Sequence, residues 1–162
     1  KTLGGGLPVG VVCGRAHLMK RYKDDRPADI CFARGTFNSH PYVMGAMARF
    51  LAWHASPEAS AAYDGIDQRW NARASALNQR LEAEALSPRV ANLGTVWTTF
   101  YTRPSRYNWM LQFYLRAEGL ALSWTGTGRF IFSLAYGDAE FADVSERFLA
   151  GCRAFEADGW AK

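Results

Sequence analysis

The chain begins Lys1-Thr2-Leu3 and continues Gly4-Gly5-Gly6-Leu7-Pro8-Val9-Gly10. A lysine amine attacks an aldehyde to form an imine once it is deprotonated, and burial or a neighbouring cation favours that form. Glycines beside the amine leave room for a bulky planar group to approach the backbone. A second stretch, Gly35-Thr36-Phe37-Asn38-Ser39-His40-Pro41, presents an amide N–H and a hydroxyl side by side. That pair of donors suits an anion such as a phosphate. Together the two stretches point to covalent capture of an aldehyde that carries a phosphate.

Other chemistries lack their residues. A phosphate-binding P-loop has its lysine after the glycines, followed by Ser or Thr, whereas here the lysine comes first. A dinucleotide fingerprint starting at Gly4 and Gly6 would need glycine where Val9 stands. His17, His40 and His54 have no metal-ligand spacing, and there is neither a Cys-x-x-Cys nor a Gly-x-Ser-x-Gly, so no metal site or serine hydrolase is expected. Pyridoxal 5'-phosphate is an aldehyde of the required kind, and it serves as an electron sink for carbanions.

The string Lys1-x-x-Gly-Gly-Gly-Leu-Pro-Val-Gly, then Gly14-Arg15-Ala16-His17-Leu18-Met19, then Gly35-Thr36-Phe37-Asn38-Ser39-His40-Pro41 before an Ala- and Met-rich helix, resembles the second half of class III aminotransferases. Glutamate-1-semialdehyde aminomutase and its relatives give the nearest likeness, which runs over nearly the whole chain. The resemblance implies a fold-type I enzyme. Lys1 matches the lysine that forms the internal aldimine and shuttles protons between substrate and cofactor. Gly35-Thr36 matches the motif whose threonine reaches the cofactor phosphate of the neighbouring subunit, which implies a homodimer. His40 stands where the family commonly has Asn, and is expected to be a structural loop residue. The family's other cofactor contacts lie before the lysine. The chain is therefore expected to be the C-terminal part of a longer enzyme and inactive by itself. The partners implied are a small-molecule amino donor and a keto or aldehyde acceptor.

Arg129 is the candidate substrate-carboxylate anchor, because a guanidinium fork holds a carboxylate with two parallel bonds. Arg129-Phe130 followed by Leu134 resembles a segment of ornithine-aminotransferase-like enzymes whose arginine binds the α-carboxylate. The aminomutases carry an acid one or two positions earlier, where Thr127-Gly128 stand here. This favours an amino-acid transaminase. A glutamate-1-semialdehyde 2,1-aminomutase, or a non-catalytic dimerisation or binding module that keeps the fold, are the alternatives.

These residues must be positioned by a modest set of elements. Residues 7–14 and 30–34 read as short strands, and 15–22 as a short helix or turn. Tyr42 to Ala55 is helical, with Met44, Met47, Phe50 and Leu51 on one stripe. Ser56-Pro57-Glu58 starts a long helix with Tyr63, Ile66, Trp70, Leu77 and Leu81 on its buried face, which Gly65 interrupts. Residues 89–102 read as one strand. A helix follows over 106–118, its core face taken as Trp109, Met110, Phe113, Tyr114 and Ala117, with Gly119 as a left-handed cap. Two strands, 120–124 and 129–135, flank the turn 125–128, and a last helix starts near Asp138 with Phe141, Val144, Phe148, Cys152 and Phe155 inward. The fold class expected is α+β, an antiparallel sheet covered by helices on one face. Residues 1–40 are expected to end the large cofactor-binding domain, and residues 41–162 to form the small C-terminal domain.

Composition agrees with a globular chain: 49% of the 162 residues are hydrophobic and the formal charge is +4. The basic residues alternate with acids, so neither nucleic acid nor membrane is an expected partner. No apolar run approaches the roughly 20 residues of a membrane span. Three widely spaced cysteines, Cys13, Cys31 and Cys152, read as buried small hydrophobes in a reduced, cytoplasmic protein without a secretory signal.

Borohydride reduction of the full-length protein with pyridoxal phosphate should fix the cofactor on Lys1, and Lys1→Ala should abolish turnover. Peptide mapping that finds the label on Lys20, Lys23 or Lys162 refutes the assignment.

Overall fold

The computed structural model describes residues 2–15, 17–18, 35–122 and 129–161. The chain divides into two compact units, Lys1–Ala61 and Ala62–Lys162.

The first unit contains a 3-10 turn, Thr2–Gly4, and the helix α1, Pro41–His54, which packs against it. α1 runs almost as the sequence predicts. Pro41 occupies its first turn, where a missing N–H costs nothing. None of its residues is buried, the expected stripe of Met44, Met47, Phe50 and Leu51 included. Residues 8–15 carry no strand, contrary to the β-branched pattern of Val9, Val11 and Val12. A strand forms only with a neighbour to pair with, and none of the described residues offers one. The expected strand at 30–34, most of the 15–22 segment and Cys31 lie outside the described residues. The short helix α2, Pro57–Tyr63, is started by Ser56, whose Oγ accepts from the Ala59 N–H at 3.2 Å.

Gly65, with φ of 62°, ends any continuation of α2 and opens α3, Ile66–Ala83. The apolar stripe of α3 is Trp70, Ala74, Leu77 and Leu81, all buried, with Ile66 partly buried, as its spacing predicts; Tyr63, expected on the same face, ends α2 instead and is exposed. What reads as one strand over 89–102 is a hairpin: β1, Pro88–Leu93, pairs antiparallel with β2, Val96–Tyr101. Gly94 (φ 53°) makes the two-residue loop with Thr95, where a hairpin matched to strand twist calls for glycine. Only Phe130–Ile131 of the expected strand 129–135 pairs with β2, as β3, giving the order β1-β2-β3. Leu120–Leu122 carry no strand, and 123–128 lie outside the described residues. At the other edge the Asn78 amide substitutes for a further strand. Its Nδ2 donates to the Val90 carbonyl and its Oδ1 accepts from the Val90 N–H, each at 2.8 Å.

Residues 106–118 resolve into a 3-10 turn, Asn108–Met110, and α4, Leu111–Ala117. That turn advances about 120° per residue rather than 100°, so the buried face moves out of phase with the expected stripe. Leu111 and Leu115 are buried instead, while Trp109 and Phe113 are exposed and meet edge to face at 5.8 Å. α5, Asp138–Ala157, buries Phe141, Phe148, Cys152 and Phe155 as expected, with Val144 partly buried.

α3, α4 and α5 share a single core with the inward side chains of the strands, among them Val90, Trp97 and Phe132. The observed class is therefore α+β, an antiparallel sheet covered by helices on one face. Exposed ion pairs Arg80–Glu146 (2.7 Å) and Arg153–Glu84 (2.5 Å) add little, since water screens both. Among the described residues no helix is long and apolar enough to cross a membrane.

All three helices end in the same six-residue closure. Leu86 N–H bonds to the Leu81 carbonyl, Leu120 to Leu115 and Trp160 to Phe155, with a left-handed residue just before each donor. Gly119 and Gly159 fill that position without strain, but Ala85 (φ 55°) does not. Ala85→Gly should therefore raise unfolding stability by about 0.5–1 kcal/mol, the left-handed strain outweighing the entropy of the new glycine. Gly151→Ala should act the other way. Its Cβ would sit 2.9 Å from Leu115 Cδ2 and 3.3 Å from the Leu115 nitrogen, where α5 packs on α4. The overpacking cost of about 1–3 kcal/mol offsets the gain of roughly 1 kcal/mol in helix propensity, or exceeds it. Urea titration of both variants checks the opposite signs.

Candidate functional site

The glycine run after Lys1 folds as two consecutive tight turns. Gly5 N–H bonds to the Thr2 carbonyl and Leu7 N–H to the Gly4 carbonyl, both at 3.0 Å. Gly5 and Gly6 take φ of 61° and 95°, a region that side chains disfavour. Gly4 is buried, and a Cβ there would lie 2.9 Å from Val9 Cγ1. This short path therefore needs glycine for two separate reasons, conformation and space. Lys1 itself lies outside the described residues.

Gly35 and Thr36 sit at the entrance to α1, in a turn closed by Asn38 N–H to the Gly35 carbonyl (3.0 Å) and His40 N–H to the Phe37 carbonyl (3.2 Å). Both are exposed. Ser39 holds φ of 54°, a left-handed conformation seldom taken by a residue with a side chain. It turns the chain so that His40 and Pro41 can open the helix. The first turn of α1 contains no acid, so nothing there repels an anion at Thr36. An exposed threonine hydroxyl beside a glycine, near a helix entrance without negative charge, fits a phosphate-bearing group.

The same unit has a groove of about 910 Å³, bounded by Leu7–Val12 on one side and by Gly35–His40 with Tyr42, Val43, Met44 and Met47 on the other. The His40 ring lies 6.0 Å from Phe37 and 5.3 Å from Tyr42, and its Nδ1 is buried without a hydrogen-bond partner. His40 is a loop residue, as expected, and also part of the groove wall. The Phe37-x-x-His40-x-Tyr42 spacing, with every aromatic beside the Gly-Thr motif, was the available signal.

Arg129 belongs to the second unit. It is exposed, one residue before β3. Side chains alternate along this sheet. Trp97, Phe130 and Phe132 turn into the core, while Leu93, Val96 and Ile131 turn out on the face opposite α3, α4 and α5 and are 84%, 43% and 72% exposed. Arg129 continues the outward side of that alternation. Sequence reading missed the outward apolar residues, although Val96 and Phe100 in Val96-Trp97-Thr98-Thr99-Phe100 flag a strand apolar on both faces. Gly35 and Thr36 are thus brought together in one turn, while Arg129 stands on the sheet of the other unit.

No family model matches the chain. It is 34% identical over 102 residues to the glutamate-1-semialdehyde 2,1-aminomutase of Nitratidesulfovibrio vulgaris (strain DSM 19637 / Miyazaki F), which takes in 63% of this chain and 22% of that protein. The aminomutase of Anaeromyxobacter sp. (strain Fw109-5) is 32% identical over 103 residues, again 22% of its length. The chain thus spans about a fifth of the length of these curated relatives. Among solved structures, an omega-transaminase from Sphaerobacter thermophilus superposes with a TM-score of 0.76 at 21% identity, over 93% of this chain and 36% of the other. A structure described as a transaminase with PLP bound superposes with a TM-score of 0.78, also at 21% identity, over 98% of this chain and 38% of the other. The likeness to class III aminotransferases near glutamate-1-semialdehyde aminomutase is borne out: the sequence relatives are aminomutases and the fold is one shared with transaminases.

The titratable groups of the second unit's core are not poised for chemistry. Burial, reinforced by the nearby Glu156 carboxylate, pushes the Cys152 thiol well above its usual range, and burial does the same to the Tyr101 phenol. Cys152 is buried as the sequence reading expects, but Cys13 is exposed, because residues 8–15 are not covered as a paired strand would be. Among the described residues no group of His, Cys, Asp and Glu could hold a metal. Cys13 should therefore react with a thiol reagent such as Ellman's within minutes in the native protein, while Cys152 should react only on unfolding. Mass mapping of the labelled peptides decides it, and rapid native labelling of Cys152 contradicts the packing described.

Proposed function

We propose that this chain is the C-terminal part of a pyridoxal-phosphate-dependent aminotransferase. It would move an amino group between an amino acid or amine and a keto or aldehyde acceptor. The observation that carries the reading is the glycine-only backbone that follows Lys1 by three residues, in a chain whose sequence relatives are aminomutases. When bound, the cofactor supplies an electron sink for charge developing on the substrate's α-carbon. Lys1 would hold the cofactor through its amine and carry a proton to and from that carbon. Gly35 and Thr36 would donate hydrogen bonds to the phosphate of the neighbouring subunit's cofactor, making the working enzyme a homodimer. Arg129 would bind the substrate carboxylate. Residues 1–40 would complete the large cofactor-binding domain and residues 41–162 would form the small one, in an enzyme of the cytoplasm with neither nucleic acid nor membrane as partner. The chain alone would be inactive, because most of the shell around the cofactor comes from elsewhere in the protein.

A glutamate-1-semialdehyde 2,1-aminomutase is the second reading, and the names of the sequence relatives favour it. Thr127-Gly128, standing where that enzyme's acid is expected, argues for the transaminase. A full-length protein that purifies without the yellow absorbance of bound cofactor, even after incubation with it, would leave only a dimerisation or binding module.

Thr36→Val in the full-length protein keeps side-chain volume and removes one hydrogen bond to a charged group. Such a bond contributes about 1.5–3 kcal/mol, so cofactor affinity should fall roughly tenfold to a hundredfold with an unchanged melting temperature of the cofactor-free protein. Absorbance titration with pyridoxal phosphate measures it; equal affinity would make Thr36 a turn residue only.

A further inference from the structure

We infer that the face of the sheet opposite α3, α4 and α5 selects substrates with one carboxylate and an apolar remainder, such as aliphatic or aromatic amino acids and their 2-oxo acids, over dicarboxylates. The inference rests on the reading of Arg129 as carboxylate anchor and names the substrate class of that same site.

Four observations carry it. Ile131 follows Arg129 by two residues on the outward side, about 7 Å along the strand, and is 72% exposed. Ile131 pairs across the sheet with Val96, and Val96 with Leu93, so the row beside Arg129 is apolar over three strands. Among the described residues of β1, β2 and β3 there is no acid. The arginine of β1, Arg89, has its guanidinium engaged with the carbonyls of Leu86 and Pro88, at 2.6 and 2.8 Å.

A carboxylate on Arg129 therefore has the apolar row of Ile131, Val96 and Leu93 on one side, with Thr98 opposite Arg129 in the continued register. An aliphatic or aromatic remainder laid over Ile131 and Val96 removes apolar area from water. A second carboxylate over Ile131 and Val96 would lose hydration and find no disengaged cation among the described residues of the three strands, and a charge moved onto apolar surface needs a partner. Single-methylene differences in an apolar pocket already change selectivity about 10–200-fold, and a misplaced carboxylate is a harsher mismatch. The side chains facing outward thus act as a filter, with Ile131 and Val96 as specificity-determining residues.

The test uses the full-length protein in two arms. In the first, unreactive carboxylates are titrated into cofactor-free protein by calorimetry, with 4-methylpentanoate against glutarate. 4-Methylpentanoate should bind at least tenfold more tightly. Ile131→Asn should lower its affinity at least tenfold, and Arg129→Lys should weaken 4-methylpentanoate and glutarate alike. Ile131 is exposed, so the variant should fold; Ile131→Gln, with a smaller change in the same direction, serves if it does not. In the second arm kcat/KM is compared for leucine and glutamate as amino donors, and leucine should be preferred. Glutarate binding as tightly as 4-methylpentanoate, or a selectivity indifferent to Ile131, overturns the inference. Absence of any cofactor binding or amino transfer strikes instead at the proposed function, while transfer without this selectivity strikes at the inference alone.

Discussion

The aromatic cluster of Trp70, Trp97, Phe132 and Phe141 is what the second unit is built around. Trp70 stacks on Phe132 with centroids 4.8 Å apart, and Trp97 and Phe141 meet the pair edge-on at 5.2–5.9 Å. The four rings come from α3, β2, the residue after β3 and α5, so one contact set ties helix to sheet. Each well-placed ring pair adds about 0.5–1.5 kcal/mol beyond the area it buries. Arg73 is drawn into the same cluster, its guanidinium 4.5 Å from the Trp70 ring and 5.1 Å from Phe141. It donates to the Tyr136 carbonyl at 3.2 Å and the Asp138 carboxylate at 2.8 Å. The segment from the end of β3 to the first turn of α5 is thereby held from both sides.

That cluster makes the sheet one-sided. With Trp97, Phe130 and Phe132 committed to the core, the strand alternation leaves Val96 and Ile131 no choice but the other face. A one-residue slip of β3 would bury Ile131 and expose two phenylalanines, so the register is held by the rings rather than by the short β3 ladder. The placement of Arg129 follows from the same alternation. A feature read as functional is in this way set by hydrophobic packing on the reverse side of the strand.

The first unit depends on backbone freedom instead. Gly4 must be small because Val9 folds back on it, and Gly5 and Gly6 must lack side chains because of their dihedrals. The result is a close-turning segment beside a groove walled by Phe37, His40 and Tyr42. The second unit is thus organised by packing, and the first by conformations that only a few residue types tolerate.

The local periodicities legible in the sequence were α3's stripe, α5's stripe, the break at Gly65 and the cap at Gly119. Each is a short-range property: apolar residues three and four apart, or a residue able to enter the left-handed region. The Lys-Gly-Gly-Gly and Gly-Thr motifs, and the likeness they carry, were legible for the same reason, since chemistry needs particular residue types close together. The sequence did not reveal that 89–102 is a hairpin, that residues 8–15 find no strand partner, or that Leu111 and Leu115 replace Trp109 and Phe113 in the core. Strand pairing and burial depend on residues distant in the chain, and the phase of α4 depends on a preceding 3-10 turn set by its surroundings. The chain's own order of residues determined which helices could form and which side chains could react. Only the tertiary structure decided which face each strand showed, because that choice belongs to the aromatic core that several elements make together.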